Sequence, residues 1–219
     1  MLNAEMLAPV ILSLKVASIA LVLSFVIGVS AAYFLARKNF PGKTVIETLI
    51  MLPLVLPPTV VGFLLIIFFG KHALIGKLIM LIFNHSILFT WYAAVIASTV
   101  VAIPLMYQSA KTGFLSVDKD IETVAFVDGV SKFRIFTHIT IPLSKHALMT
   151  GAILAFARAL GEFGATLMFA GNIPGRTTTM PTAIYSALQA GDMTVAWVYV
   201  SIIITFSFLV MWFIRTKEN

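Results

Sequence analysis

VILSLKVASIALVLSFVIGVSAAYFLA, residues 10–36, runs for twenty-seven residues with a single charge, Lys15. A helix rises 1.5 Å per residue, so about 20 apolar residues cross roughly 30 Å of hydrocarbon. The stretch reads as a membrane span, longer than a perpendicular crossing needs and so expected to tilt. Lys15 falls in its outer end, where the stem snorkels to the surface. Four further segments meet the same length test: Ile46–Phe69, Leu88–Met106, Ala147–Ala170 and Val195–Ile214. A shorter apolar piece, Leu78–Phe83, is flanked by Lys77 and His85 and reads as an external interfacial segment rather than a sixth crossing. The expectation is an all-α membrane protein, a bundle of about five transmembrane helices.

Composition agrees. Hydrophobic residues make up 60% of the chain and charged ones 11%, with a mean hydropathy of +1.02, where a soluble domain carries roughly 25% charged residues. So large an apolar excess must face lipid. At 219 residues the chain is one domain, 1–219. Its formal charge of +6 does not point to nucleic acid, because the basic residues are scattered through short loops. With no cysteine, disulfides and thiolate metal sites are excluded, and His72, His85, His138 and His146 are too dispersed for a metal centre. Met1–Pro9 lacks the positive region of a cleaved signal peptide, so the first span is expected to be retained.

Orientation follows from basic residues in the loops. Placing Arg37–Thr44, Lys111–His146 and Arg215–Asn219 inside gives the cytoplasmic side Arg37, Lys38, Lys43, Lys111, Lys119, Lys132, Arg134, Lys145, Arg215 and Lys217. The outside keeps only Lys71, Lys77 and Arg176. Ten against three predicts the N-terminus out and the C-terminus in.

The loop over 111–146 is too long for a turn and too short for a domain. Asp118–Asp128 reads as a short amphipathic helix with Ile121, Val124 and Ala125 on one face. Gly129 stands where a C-cap glycine belongs, Ser131 caps a second helix over Lys132–Ile139, and Pro142 is expected to close it. The result is a rigid two-helix bracket at the membrane surface. Glu122, Val124, Ala125, Gly129, Ile139, Ile141 and Pro142 resemble the EAA signature of ABC-importer permeases, with the glutamate one place early and Val124 in place of an alanine. The resemblance implies that the bracket is a coupling element docking onto a separate ATP-hydrolysing subunit.

Pro41-Gly42-Lys43-Thr44 imitates the end of a phosphate loop, but Arg37 stands where the first glycine is required. It reads as a basic turn with a helix starting at Thr44, so this chain is expected to bind no nucleotide. In the fourth span Arg158 and Glu162 are four residues apart and share a helix face. A central charge costs about 2.5–3.5 kcal/mol on insertion scales, so the two must pair and face protein or a wet cavity. The pair reads equally as a packing device and as part of a pathway, with Gly161 and Gly164 admitting a close neighbour. Pro53, Pro57 and Pro58 remove backbone donors, so a broken second span beside a path is expected, with Thr59 and Thr166 as weak hydroxyl donors along it.

Phe40-Pro41-Gly42-Lys43, the run from Leu52 to Pro58, the run from Phe156 to Thr166 and Gly171–Gly175 together resemble the sulfate, molybdate and tungstate permeases. The chain's length fits the molybdate type better. That resemblance implies a type I ABC-importer permease of the cell inner membrane working as a homodimer. Its implied partners are two cytoplasmic ABC ATPase subunits, which hold the ATP-Mg, and a periplasmic oxyanion-binding protein. This chain itself is expected to carry no cofactor, metal or catalytic site. A sulfate or thiosulfate permease is the nearest alternative. A secondary transporter driven by an ion gradient should show more spans, internal repeats and more intramembrane acids, and an inert anchor leaves the bracket unexplained.

Overall fold

The structure, a computed structural model, describes the backbone of residues 4–218 and the side chains of residues 6–212. Arg215 and Lys217, two of the ten basic residues assigned inside, therefore lie outside the described side chains. Three helices are long and apolar enough to cross a bilayer alone: α1 (Ala4–Leu35), α5 (Trp91–Ser116) and α12 (Met193–Glu218). The second expected span is two helices, α2 (Lys43–Val55) and α3 (Pro58–Phe69), which meet at a 119° bend. The short apolar helix α4 (Leu74–Phe83) rises only about 15 Å and exposes Leu74, Leu81 and Ile82.

Two differences from expectation bear on the site. The third span continues ten residues past Met106 to Ser116, because Ala110, Gly113 and Phe114 extend the buried stripe begun by Tyr107. The loop starting at Lys111 is thus shorter than expected, and Lys111 belongs to α5. The fourth span is not one helix over 147–170 but α9 (Lys145–Leu160) and α10 (Gly164–Phe169), interrupted at 161–163.

Packing rests on small residues. Ala17, Ala20, Gly28 and Ala32 of α1 face Ala102, Met106, Tyr107 and Ala110 of α5, and all but the glycine belong to one buried cluster. A Cβ added at Gly28 would lie 3.0 Å from both Met106 Cβ and Tyr107 N. Lipid competes for apolar surface as well as a neighbouring helix does, so close backbone approach and dispersion, rather than exclusion of water, hold such pairs. Many large apolar side chains point outward instead: Val22, Val26, Phe63, Ile67, Trp197 and Phe208 are all exposed. α11 (Met180–Gln189) starts on a Thr179–Thr182 capping box and lies against α12.

Candidate functional site

The bracket forms much as its sequence dictates. In α6 (Lys119–Val127), Asp118 Oδ1 accepts from Asp120 N at 2.9 Å, and Asp120 and Glu122 place negative charge in the first turn. At the other end Gly129 takes φ 86°. Val130 N donates to Ala125 O at 3.0 Å and Gly129 N to Phe126 O at 3.1 Å, the bond pair of a glycine-closed helix end. Ser131 Oγ then accepts from Arg134 N and opens α7 (Lys132–Ile135).

Pro142 does not close this second helix. The chain widens into a π turn over Phe136–Thr140 and passes through α8 (Ile141–Leu143) before bending. The widened turn accommodates a proline that has no N–H and whose ring would crowd the carbonyl four residues back. The break comes at Ser144, whose Oγ donates to Gly113 O at 2.9 Å, and α9 leaves at 75°.

Glu122 is turned inward. Its Oε2 accepts from Arg37 Nη1 and its Oε1 from Thr140 Oγ1 at 2.6 Å. Arg37 Nη2 also donates to Phe114 O at 2.7 Å and to Val117 O at 2.8 Å, two carbonyls at the end of α5. One guanidinium thus ties the end of α1, the end of α5 and the bracket together. Val124 is 60% exposed on the outer side of α6 beside Ile121. Ala125, Ile139 and Ile141 are half-buried, and Pro142 is exposed. Sequence reasoning missed this role of Arg37, using it only as an inside charge and as the residue that rules out a phosphate loop; its position one residue past the first span, on the same side as a bracket with a glutamate, was the available signal.

The second constellation lies where two broken spans meet. Pro53 is inside α2, the bend falls at Leu56-Pro57, and Pro58 opens α3 at its first position. A Cβ added at Gly164 would meet Pro58 Cβ at 3.0 Å and Thr59 N at 3.3 Å, so the break in the second span packs on the break in the fourth. Thr59 is exposed there. Arg158 and Glu162 do pair, with Nη1 to Oε2 at 2.5 Å, but not along one helix: α9 ends at Leu160. Glu162 is 2% exposed and its Oε1 accepts from Ala165 N at 2.8 Å, so the carboxylate also satisfies a donor freed by the break. Thr166 is 1% exposed, and its hydroxyl has no hydrogen-bond partner among the described residues.

The polar side chains Asn172, Thr177 and Thr178 of the loop over 171–179, by contrast, have partners. Asn172 Oδ1 accepts from Thr178 Oγ1 at 2.8 Å, its Nδ2 donates to Ser186 Oγ, and Thr177 Oγ1 accepts from Ile173 N at 2.9 Å. A further ionic site went unread in the sequence. Glu47 Oε1 accepts from Tyr107 OH at 2.8 Å and from Lys111 Nζ at 2.7 Å, fastening α2 to α5. Glu47 sits one residue inside the second expected span, where an acid needs a partner.

Comparison with known proteins identifies what this arrangement resembles. Residues 24–216 match the family model described as "Binding-protein-dependent transport system inner membrane component". The chain is 57% identical over 215 residues to the "Putative molybdenum transport system permease protein YvgM" of Bacillus subtilis, covering 98% of this chain and 95% of that one. It is 43% identical over 180 residues to the "Molybdenum transport system permease protein ModB" of Escherichia coli K12, covering 82% and 79% respectively. The ModB of Azotobacter vinelandii is 35% identical over 213 residues, 97% of this chain and 94% of its own. Among solved structures, a chain of the MetNI methionine ABC transporter superposes with a TM-score of 0.74 at 15% identity, over 95% of this chain and 92% of that one. A chain of the bacterial alginate ABC transporter, in complex with its pentasaccharide-bound periplasmic protein, gives 0.78 at 15% identity, over 99% and 79%. At these identities the structures speak for the fold.

Proposed function

The chain belongs to the family of inner membrane components of binding-protein-dependent transport systems, and from that premise we propose that it carries molybdate, or the similar tungstate, into the cell. It is a multi-pass inner-membrane permease subunit of an ABC importer, a translocation component with no catalytic activity of its own. The cargo rests on one observation: 57% identity across 98% of the chain to a protein named for molybdenum transport. Cargo selection is expected to lie mainly with the periplasmic oxyanion-binding protein.

In this reading two copies of the chain pair around the path, and two cytoplasmic ATPase subunits, holding ATP-Mg, dock on the exposed outer side of α6. Ile121 and Val124 supply apolar contact there, and the Gly129 turn keeps the two arms of the bracket rigid. Movement of the bracket passes through Glu122 and Arg37 to the ends of α1 and α5, and through Ser144 to α9. Pro57, Pro58 and Thr59 sit exposed at the bend of the second span, where a partner copy would close the path around them.

A tetrahedral dianion needs polarity along its route without a deep electrostatic well. Unpaired cations would trap it; hydroxyls and backbone amides would not. Pairing of Arg158 with Glu162 cancels the one cation within residues 147–170 and keeps the break polar. The test is ATP hydrolysis by the permease reconstituted with its ATPase and binding protein. Molybdate-loaded binding protein should stimulate turnover and sulfate-loaded protein should not. Equal stimulation by both would favour the sulfate alternative.

A further inference from the structure

We propose that the pocket between the inner end of α1 and the membrane-facing side of the bracket seats the headgroup of an anionic glycerophospholipid from the cytoplasmic leaflet. The pocket has a volume of about 590 Å³ and is walled by the last turn of α1, by α6 and by α7 with its π turn. Its only lining carboxylate among the described residues, Glu122, is matched by Arg37. Three further cations line it: Lys38, Lys119 and Lys132. None of the three has a carboxylate partner among the described residues. The pocket therefore presents three lysines that no ion pair holds among the described residues, and it suits an anion.

The walls say which kind. Lys38 Nζ stands 5.5 Å from the Phe34 ring centroid and Lys132 Nζ 5.7 Å from that of Phe126. Tyr33 and Phe34, at the final turn of the first span, are both exposed. Lysines beside aromatic rings at the end of a span match a ligand with a charged head and an apolar continuation. A free phosphate makes no use of the rings.

The site is also separate from the docking face. Lys119, Glu122, Thr123 and Phe126 occur at helical spacing and line the pocket, while Ile121 and Val124 point the opposite way on α6. A lipid held here would bridge the bracket to the end of α1 alongside Arg37. The inference rests on the reading that the bracket end faces the cytoplasmic leaflet. It is independent of the cargo, since it concerns the permease alone.

The experiment measures lipid retention on the delipidated full-length chain in a neutral detergent, without ATPase, binding protein or molybdate. Palmitoyl-oleoyl phosphatidylglycerol and the matching phosphatidylcholine are titrated and read by native mass spectrometry. Phosphatidylglycerol should bind preferentially. A lysine near an anionic surface contributes about fivefold in affinity, so K38Q/K119Q/K132Q should weaken that binding roughly a hundredfold. K38R/K119R/K132R should restore it, which separates loss of charge from loss of fold, and K71Q/K77Q at the other end should leave it unchanged. Equal affinity for the two lipids, or undiminished binding in the glutamine triple variant, would overturn the proposal. Displacement of phosphatidylglycerol by millimolar inorganic phosphate would overturn it too, by making the pocket a soluble-anion site.

Discussion

Arg37 and Glu122 are each about one-fifth exposed, and between them they satisfy two helix-end carbonyls and the Thr140 hydroxyl. Hydrogen bonds to charged groups contribute roughly 1.5–3 kcal/mol each, and an abandoned partner costs its desolvation as well. Arg37→Gln and Glu122→Gln should each lower the unfolding free energy by about 1–3 kcal/mol. A double-mutant cycle should return a coupling of at least about 0.5 kcal/mol; strict additivity would mean the contact carries no energy. Arg158 and Glu162 invite the same treatment with a different readout. Glu162→Gln leaves Arg158 as an anion trap, and Arg158→Gln leaves a repulsive carboxylate. Both should insert normally and transport molybdate poorly, while the double variant recovers in part. Because Glu162 also accepts from Ala165 N, and glutamine keeps a carbonyl oxygen at that position, the break itself should survive the exchange. Wild-type transport in both single variants would assign the pair to packing alone.

At the scale of elements, glycines decide whether two designs hold. Gly129 at φ 86° has nothing within 4 Å of an added Cβ, so Gly129→Val is strained by its backbone rather than by space, at roughly 1 kcal/mol or more. It should abolish cargo-stimulated ATP hydrolysis while the protein still reaches the membrane. Gly164→Val acts by contact, pressing on Pro58 and Thr59 where the two breaks touch, and uptake should fall at least tenfold with the bracket intact. The elements themselves were largely legible because lipid imposes a plain code: long apolar runs, basic loops, prolines at a break. The 119° bend falls inside the proline run for that reason. What stayed illegible had no such mark. The break at 161–163 contains no proline; it exists because Glu162 can supply an acceptor to the next helix start, and hydropathy does not register a capping bond. The continuation of α5 to Ser116 and the Glu47 contact with Lys111 depend on which helices become neighbours. Spacing within one segment does not encode that. Spacing within one segment did give the Arg158–Glu162 pair; the partners of Glu122, Arg37 above all, came only from the fold.

For the molecule as a whole, ten basic residues against three predict the bracket end inside the cell. Thr112 is exposed near the end of α5 and Arg176 is exposed in the opposite loop. A cysteine at Thr112 should resist an impermeant thiol reagent in intact cells, and one at Arg176 should react; the reverse pattern would invert the molecule. This orientation puts the outer face of α6 where an ATPase can reach it and the two broken spans between cargo and cytoplasm. The central claim is that the chain forms the path by which a tetrahedral oxyanion enters at the expense of ATP. Its most direct test is uptake of labelled molybdate into proteoliposomes containing the permease and its ATPase, with ATP enclosed and molybdate-loaded binding protein outside. We predict accumulation that requires all three proteins and internal ATP, and that is lost in the Gly129→Val variant. Uptake independent of ATP, or an active complex that moves an unrelated solute and leaves molybdate and tungstate outside, would contradict the account.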